Sequence, residues 1–190
     1  MKRLALVTGV LALAAPLALA QTSTWTSDPA HSLVEFSISH LTVSNIHGRF
    51  GHVTATITLN EADISKSTVT ATIDMTGIDT GEDARNNHLK SPDFFDVATY
   101  PTATFTSTSV AKSGDTLTIN GNLTLHGVTK PVVLTAQGPR GPVPGMDKKP
   151  HAGFSATTTI KRTDFGVGKF PAAVVGEDAK LEIELEVVKQ

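Results

Sequence analysis

Apolar and polar residues alternate with a period of two along most of the chain after residue 30, and threonine fills many of the polar positions. The clearest example lies near the end of the chain, where Leu181, Ile183, Leu185 and Val187 alternate with three glutamates. This period is typical of antiparallel strands that have one buried and one wetted face. The pattern predicts eight strands, at 33–41, 53–59, 69–75, 102–110, 117–125, 132–136, 154–160 and 181–187.

Turn-forming residues separate these strands. The segments 113–115 and 126–131 are predicted to connect hairpins, and 138–150, which contains four prolines, is predicted to form a long exposed loop. Asn120-Gly121 has two interpretations: a hairpin turn that would divide one predicted strand in two, or a bend inside that strand. The bend is favoured, because the hairpin would leave two very short strands.

One segment of the chain, 82–90, is predicted to be helical, with Thr80 and Asp83 as a capping box. A second turn is predicted to begin at Ser91-Pro92, because proline is favoured at the first position of a helix. These are the only helical signals after the first twenty residues. Helix is therefore expected to be a minor component of a single domain over 21–190.

Eight antiparallel strands must either pack as two sheets or close into a barrel. Closure is favoured because it removes exposed strand edges, and internal glycines such as Gly48 and Gly121 allow strong bending. The predicted fold is therefore all-β, a closed antiparallel barrel of about eight strands with one short helical insertion. Small residues at inward positions, such as Ala55 and Ala71, would permit a cavity.

The first twenty residues have the pattern of a cleavable signal peptide. Lys2 and Arg3 precede an apolar run, and Ala18-Leu19-Ala20 forms the small-x-small pattern before the cleavage point. Loss of this segment leaves 14 basic and 18 acidic residues, a net charge of −4. The signal predicts export to the periplasm. The chain has no cysteine, which excludes disulfides, thiol catalysis and cysteine-ligated zinc.

Composition and motifs exclude several classes of function. The acidic balance and the lack of a lysine or arginine block exclude a nucleic-acid partner. No second apolar run of about 18 residues follows the signal, so no transmembrane segment is predicted in the mature chain. The seven histidines, among them His40, His47 and His52, lack HExxH spacing, and no metal or other cofactor is predicted. The sequence contains neither a P-loop nor a G-x-S-x-G nucleophile elbow.

Five strings, in order along the chain, resemble those of the YceI-like family of periplasmic polyisoprenoid-binding proteins. The first is Asp28-Pro29-Ala30-His31-Ser32-Leu33-Val34-Glu35-Phe36, and the second is His40-Leu41 with Gly48-Arg49-Phe50. The third is Arg85-Asn86-Asn87-His88-Leu89 with Ser91-Pro92-Asp93-Phe94-Phe95-Asp96 and Tyr100-Pro101. The fourth is Gly121-Asn122-Leu123-Thr124-Leu125-His126-Gly127-Val128-Thr129-Lys130, and the fifth is Lys161-Arg162-Thr163-Asp164-Phe165-Gly166-Val167. The resemblance covers about 25–187. One departure is Asn86, where the family more often has an aspartate.

The resemblance implies a lipocalin-like barrel whose lumen binds a long polyisoprenoid, such as the tail of a polyprenyl quinone, for carriage, storage or protection. The inward strand faces would then supply the ligand-binding walls, which are Phe36, Ile38, Ile57, Ile73, Phe105, Leu123, Leu125, Ile183 and Leu185. Phe50 of the second string joins this set. Leu89, Phe94 and Phe95 are expected to line or close the mouth, and His40 or His88 to contact a polar head group. A homodimer is also plausible from the family.

Two alternatives stay open at this point. The first is an enzyme acting on a lipid head group through His31, His88 or the Arg162 and Asp164 pair, which would lie on one side of an extended segment. The second is a structural or interaction barrel whose apolar side chains fill the core and leave no room for a ligand. The Arg162 and Asp164 pair is more simply explained as an ion pair that fixes one end of the barrel.

Overall fold

A computed structural model describes residues 22–190, and the predicted signal peptide lies outside this range. The described chain folds into ten strands, one α-helix and two short 3₁₀ turns. The strands are β1 Thr22–Ser27, β2 Leu33–His40, β3 Ser44–Arg49, β4 Val53–Asn60, β5 Thr68–Asp74, β6 Thr102–Ser113, β7 Thr116–Leu125, β8 Val128–Pro144, β9 Pro150–Lys161 and β10 Val175–Lys189. The helix α1 is Asp83–Lys90, and the 3₁₀ turns are Ile64–Lys66 and Arg162–Phe165.

Eight strands form a closed ring in the order β1-β4-β5-β6-β7-β8-β9-β10, and β10 returns to pair with β1. At this seam Trp25 lies opposite Lys189 and Ser27 opposite Val187. The two additional strands form a hairpin: β2 pairs with β10 on the same edge as β1, and β3 pairs with β2. Every pairing is antiparallel, so the predicted closed barrel with one helical insertion is confirmed.

Two strands were absent from the sequence prediction. β1 has a single large apolar residue, Trp25, whose indole N–H donates to the buried hydroxyl of Ser23 at 2.8 Å. β3 carries Ile46 as its one large apolar side chain. Neither segment therefore shows the repeated apolar alternation that revealed the others, and both are strands because neighbouring strands supply their backbone hydrogen bonds.

The predicted loop over 138–150 is wrong, because most of it extends the β8–β9 hairpin. Proline removes a backbone donor and is tolerated only where a strand has a free edge or a bulge. Pairing of β8 with β7 ends at Gln137, so the rest of β8 pairs only with β9. Two register shifts, on either side of Arg140, mark bulges in that pairing. The prolines therefore occupy an edge strand. Likewise, the predicted connection over 126–131 shortens to His126-Gly127, since β8 begins at Val128.

The bend at Asn120-Gly121 is confirmed, because β7 runs through both residues without interruption. The partner strand β6 has a register shift between Ser107 and Ser109 at this level. A Cβ atom on Gly121 would overlap the Phe105 ring and lie 2.7 Å from the Thr106 carbonyl oxygen. Glycine is therefore required here by the close approach of an aromatic ring and of the neighbouring backbone.

Substitution of Gly121 by alanine is expected to lower the free energy of unfolding by about 1–3 kcal/mol, because the added methyl overpacks a close contact. Urea denaturation followed by circular dichroism measures this loss. Phe105→Leu removes the ring tip that Gly121→Ala would strike, so the two substitutions together should cost less than the sum of their separate costs. Strict additivity would contradict the proposed contact.

The helical insertion lies where it was predicted to within one residue, but its capping differs from the prediction. Glu82 is the N-cap of α1, and its carboxylate accepts from the Ala84 N–H at 3.2 Å. The capping box of Thr80 and Asp83 is therefore wrong, since Thr80 instead bonds to the side chain of Asn86. Ser91 is the C-cap of α1, and the residues after it form turns. In the described part of the chain, no helix is both long and apolar enough to cross a membrane.

Candidate functional site

The lumen of the barrel is lined by the inward faces of its strands, and many of the side chains there are only half-buried. Phe154, Ala156, Ile183 and Leu185 face inward yet keep partial exposure, whereas Val187 at the seam is fully buried. A closely packed core would bury all of these apolar groups. The barrel therefore has free space beside part of its apolar wall.

One apolar pocket, here the helix-side pocket, lies between the barrel and α1. It has a volume of about 70 Å³. Its lining residues come from β2, the β3–β4 connection, α1 and its following turn, β7, β9, the second 3₁₀ turn, the loop before β10, and β10 itself. They are Phe36, Ile38, Phe50, Leu89, Phe94, Phe95, Leu125, Ile160, Arg162, Val167, Val175, Ala179 and Leu181. Seven of the predicted ligand-binding residues meet here, including the three expected at the mouth.

Aromatic side chains cover the helix-side pocket. The Phe50 ring lies 5.1 Å from that of Phe36 and meets Phe95 edge-on at 5.9 Å. Phe94 stacks on Phe170 at 5.3 Å with an interplanar angle of 16°. Since Phe170 is 37% exposed, these stacked rings separate the pocket from solvent. The cover belongs to the turn after α1 and to the loop before β10, which are connecting segments and not barrel strands.

A second apolar pocket, here the hairpin-side pocket, lies next to the β6–β7 hairpin and also measures about 70 Å³. Its lining includes three predicted ligand-binding residues, Ile57, Ile183 and Leu185. The others were not predicted, and they are Leu59, Ile64, Ser67, Val69, Val110, Leu117, Ile119, Leu134, Ala136, Pro139, Phe154 and Ala156.

The two pockets follow each other along β10. Leu181 lines the helix-side pocket, and Ile183, the next residue on the same face, lines the hairpin-side pocket. Among their lining residues, all within the described chain, Arg162 is the one ionisable side chain.

Five predicted ligand-binding residues lie elsewhere. Ile73 and Leu123 are buried in the main core cluster, and Phe105 is buried in the cluster near the β6–β7 hairpin. The ring of His88 meets Phe94 edge-on at 5.1 Å, and its Nε2 lies 3.5 Å from the Asp93 carboxylate. His40 is half-buried at the end of β2, where it pairs with Ser44 and Val175.

Sequence patterns could have identified several of the missed lining residues. Val69, Leu117, Ile119, Leu134 and Ala136 are on the apolar phase of predicted strands, and the same alternation that selected Ile57 applies to them. Pro139 and Ile64 lie in segments without strand periodicity. Their place in the pocket depends on the extended β8–β9 hairpin and on the 3₁₀ turn, which periodicity does not predict.

Arg162 is the charged residue in the lining of the helix-side pocket. It is 4% exposed, and its guanidinium donates to five backbone carbonyls. Nε donates to Gly176 at 2.8 Å, Nη1 to Val167 and Gly168 at 2.9 and 2.6 Å, and Nη2 to Phe170 and Val175 at 2.6 and 2.8 Å. Burial lowers the pKa of the guanidinium, with nearby Glu177 acting in the opposite direction. An arginine in a protein nevertheless stays charged.

The predicted ion pair between Arg162 and Asp164 is wrong. Both residues belong to the 3₁₀ turn Arg162–Phe165 and not to an extended segment, so their side chains do not share one face. All five N–H donors of Arg162 are used by backbone carbonyls of the loop after that turn and of the first two residues of β10. Arg162 therefore fixes the barrel end as a hydrogen-bonding hub.

A polar network attaches α1 to the barrel. The Asn86 side-chain oxygen accepts from the Thr80 N–H at 2.8 Å and from its hydroxyl at 2.7 Å, while its amide donates to Asp79 at 3.1 Å. Arg85 donates to the Thr80 hydroxyl and carbonyl at 2.8 and 2.9 Å. Asp79 exchanges backbone hydrogen bonds with Arg49 on β3. An asparagine at position 86 suits this site, because it donates to the Asp79 carboxylate where an aspartate would repel it.

Replacing Asp79 with asparagine is expected to destabilise the protein at neutral pH and to make little difference in acid. Hydrogen bonds from the Gly81 N–H, then from Asn86 and Arg49, hold the pKa of Asp79 below its ordinary value. A lowered folded-state pKa gives stability that is present above the unfolded pKa of about 3.9 and is lost as the pH falls through the folded pKa. Melting temperatures at pH 7, 5 and 3 should show the gap between wild type and variant closing. Asp115→Asn, in the β6–β7 turn, is the control, and a gap that stays constant would contradict the assignment.

Outside the lumen, two histidines and three carboxylates gather near the turn between β1 and β2. His31 Nδ1 lies 2.8 Å from Asp28 Oδ2, and His151 contacts Glu186 at 2.7 Å and Asp147 at 3.0 Å. The hydrogen bond to Asp28 raises the pKa of His31, and the bonds to Glu186 and Asp147 raise that of His151. The same hydrogen bond to His31 lowers the pKa of Asp28. The cluster is on the outer face, because Glu186 alternates with the inward Leu185 and Val187.

Known proteins share this sequence and this architecture. Protein YceI of Escherichia coli O157:H7 is 43% identical over 162 residues, which cover 84% of this chain and 83% of that protein. The crystal structure of Burkholderia cenocepacia BcnA superposes with a TM-score of 0.76 at 25% identity, and the match covers 84% of this chain and 98% of that one. A structure described as a polyisoprenoid binding domain from Saccharophagus degradans has the same fold, with a TM-score of 0.63 at 19% identity over 90% of this chain and all of that one.

The family model described as the YceI-like domain matches residues 25–187. This range begins in β1 and ends in β10, so it contains the whole barrel, the helical insertion and both pockets. The chain therefore belongs to the YceI-like family.

Proposed function

We propose that this protein binds a long-chain polyisoprenoid, such as a polyprenyl quinone, inside the barrel and carries, stores or protects it. The observation that supports the proposal is a closed barrel with two consecutive pockets whose walls are apolar, apart from Ser67 and the fully hydrogen-bonded Arg162. A hydrocarbon tail needs apolar wall area and no hydrogen-bonding partner, and these walls offer that chemistry.

The energetics of burial favour such a ligand. Burying roughly 400 Å² of tail at about 25 cal/mol/Å² would contribute on the order of 10 kcal/mol before translational and ordering costs. A ten-residue strand such as β7 spans roughly 33 Å, comparable to several extended isoprene units. The length of the lumen and its apolar wall therefore match a long thin chain better than a compact polar metabolite.

The pockets are smaller than the ligand, and binding therefore requires side chains to move. Each measures about 70 Å³, whereas ligand sites usually span about 300–1,000 Å³. The half-buried Phe154, Ile183 and Leu185 are suited to such movement, because they lack close packing on the lumen side. The tail would displace them and join the two pockets into one channel along β10.

The family and fold are those of a binding protein. The printed description of the Saccharophagus degradans domain as polyisoprenoid-binding supports the proposed ligand class for this chain. We propose that the protein is not an enzyme, since the titratable groups named as catalytic candidates do not converge in the lumen. His31 is on the outer surface, His88 packs on Phe94, and Arg162 is bonded to carbonyls.

One observation favours a second candidate, a ligand-free structural barrel: the free space in each pocket is small. Native purification followed by organic extraction and mass spectrometry separates the two. The proposed function predicts a co-purified isoprenoid lipid and saturable uptake of added polyprenyl quinone. Absence of both would contradict lipid binding and favour the ligand-free barrel.

Quinone uptake can be followed with Trp25, the single tryptophan of the chain. Trp25 is buried in a cluster with Ile57, and Leu59 and Leu185 pack against that cluster. All three of these neighbours line the hairpin-side pocket. A quinone in the lumen should therefore quench the fluorescence of Trp25 in a saturable manner.

We also propose that residues 1–20 direct export to the periplasm, where the mature chain would meet its lipid. Amino-terminal sequencing of the exported protein tests this, with Gln21 as the expected first residue.

The homodimer stays a prediction. Light scattering of the purified protein measures the molecular mass, which distinguishes a dimer from a monomer.

A further inference from the structure

A cluster of possible metal ligands lies outside the lumen. We propose that Asp28, His31 and Glu186 bind one such ion, with Zn²⁺ as the representative, on the outer face of the barrel. One ligand atom from each of these residues lies within 4.8 Å of the other two. No metal motif is visible in the sequence, because Asp28 and Glu186 are 158 positions apart and only barrel closure brings them together.

The donor chemistry suits this class of ion. One imidazole nitrogen and two carboxylate oxygens form the mixed donor set that zinc and its neighbours accept, whereas Ca²⁺ and Mg²⁺ prefer oxygen alone. Three protein ligands leave a fourth position for water. An all-carboxylate cluster would not make this distinction, so His31 defines the proposed selectivity.

The geometry is close to what a tetrahedral ion requires. Zinc bonds of about 2.0–2.2 Å place neighbouring ligand atoms about 3.3 Å apart. Asp28 Oδ2 and His31 Nδ1 are 2.8 Å apart and share a proton. The ion would replace the Nδ1 proton, which passes to solvent from a protonated ring or moves to Nε2 of a neutral one, and the two atoms would separate by about half an ångström. Glu186 needs only a side-chain rotation to complete the set, because it is partly exposed.

The backbone beneath the site is held in place. The Asp28 N–H donates to the Glu186 carbonyl at 2.8 Å, and the buried Ser32 hydroxyl both donates to that carbonyl and accepts from the Glu186 N–H at 3.1 Å. The β1–β2 turn and β10 therefore form one unit at this level. Binding needs no backbone rearrangement.

Neighbouring side chains orient Glu186 and determine the net charge around the proposed site. His151 Nδ1 lies 2.7 Å from Glu186 Oε1 and can donate to it, which orients the carboxylate and leaves Oε2 for the ion. Its other nitrogen contacts Asp147 at 3.0 Å. Three carboxylates face two imidazoles, so the cluster has an excess of negative charge. A divalent ion would offset that charge.

Isothermal titration of the tag-free, chelator-treated full chain with ZnCl₂ near pH 7.5 tests the proposal. We expect saturable binding of one Zn²⁺ per chain, and at least tenfold weaker binding by His31→Gln and by Glu186→Gln. His47→Gln removes an exposed histidine on β3 and should bind as the wild type does. His151→Gln should weaken binding less than the two ligand variants.

A second measurement, the melting temperature, distinguishes loss of the metal site from failure to fold. Zn²⁺ bound only to the native state raises the melting temperature, and this increase should occur in the wild type and in His47→Gln but not in His31→Gln. Far-ultraviolet circular dichroism checks that each variant is folded. Absence of one-to-one binding by the wild type would mean that the cluster is only a set of ion pairs, and undiminished binding by both ligand variants would place the ion elsewhere. Either result overturns the proposal, and neither affects quinone uptake into the lumen.

Discussion

Replacement of Arg162 by methionine is expected to lower the free energy of unfolding by about 3–5 kcal/mol, because several buried carbonyls would lose their donor at once. Those carbonyls belong to Val167, Gly168 and Phe170 in the loop after the last 3₁₀ turn, and to Val175 and Gly176 at the start of β10. Methionine has similar length but no N–H group. Urea denaturation with tryptophan fluorescence measures the loss.

Two comparisons make the result specific to the hydrogen bonds. Lysine keeps the charge but has at most three donors in a compact group, so Arg162→Lys should be intermediate. Arg140→Met removes an exposed arginine that pairs with Glu184 at 3.2 Å, and it should cost less than about 1 kcal/mol. A fully stable Arg162→Met variant would show that solvent or the loop itself satisfies the carbonyls.

Substitution of Ala156 by phenylalanine should abolish or weaken quinone uptake by at least tenfold. Ala156 lines the hairpin-side pocket, whose volume is about 70 Å³, and a benzyl group there would occupy the path of the tail. The matched control is Thr157→Phe, because Thr157 is the next residue on β9 and is exposed on the outer face. Quenching of Trp25 fluorescence by added polyprenyl quinone measures uptake by both.

Overpacking itself can cost about 1–3 kcal/mol, so the stability of each variant must be measured beside its uptake. Ala156→Leu, which adds less volume, provides a folded variant if phenylalanine destabilises the barrel. Normal uptake by a folded Ala156→Phe variant would exclude the hairpin-side pocket from the ligand path. The helix-side pocket alone would then have to hold the lipid.

The closed barrel could be predicted from the sequence because most of the eight predicted strands alternate apolar with polar residues. Periodicity failed where the reason for a strand lies in its partner. Trp25 is the only large apolar residue of β1, and β1 exists because β4 and β10 flank it. The long β8–β9 hairpin was missed for a related reason, since its prolines are acceptable only on an edge that β7 does not cover.

The candidate site was predictable in part. Phe36, Phe50, Phe94 and Leu125 were selected from strand faces and family strings, and the structure brings them together around the helix-side pocket. Periodicity alone could not separate inward residues that border a void from those that fill the core, as Phe105 does, because both kinds have the same apolar phase. That difference depends on side-chain volumes on opposite walls of the barrel.

The hydrogen bonds from Arg162 to five backbone carbonyls could not be predicted from the sequence either. Lys161-Arg162-Thr163-Asp164 shows two opposite charges at a spacing that suits an ion pair. The hub instead arises from a loop that wraps around the guanidinium, and no residue type marks a backbone carbonyl as a partner. The hydrogen-bond donors of a charged side chain beside apolar strand residues can thus be satisfied entirely by backbone carbonyls.

The last strand, β10, completes the ring in this fold, since its end pairs with β1 and its beginning with β2. These fifteen residues follow every other strand of the barrel along the chain. A nascent chain can therefore form hairpins from β4 to β9, but it cannot close the ring until β10 has been synthesised. Contacts between residues more than 150 positions apart also make this closure a slow step. The chain consequently stays open, as a set of hairpins, until its last strand is available for pairing.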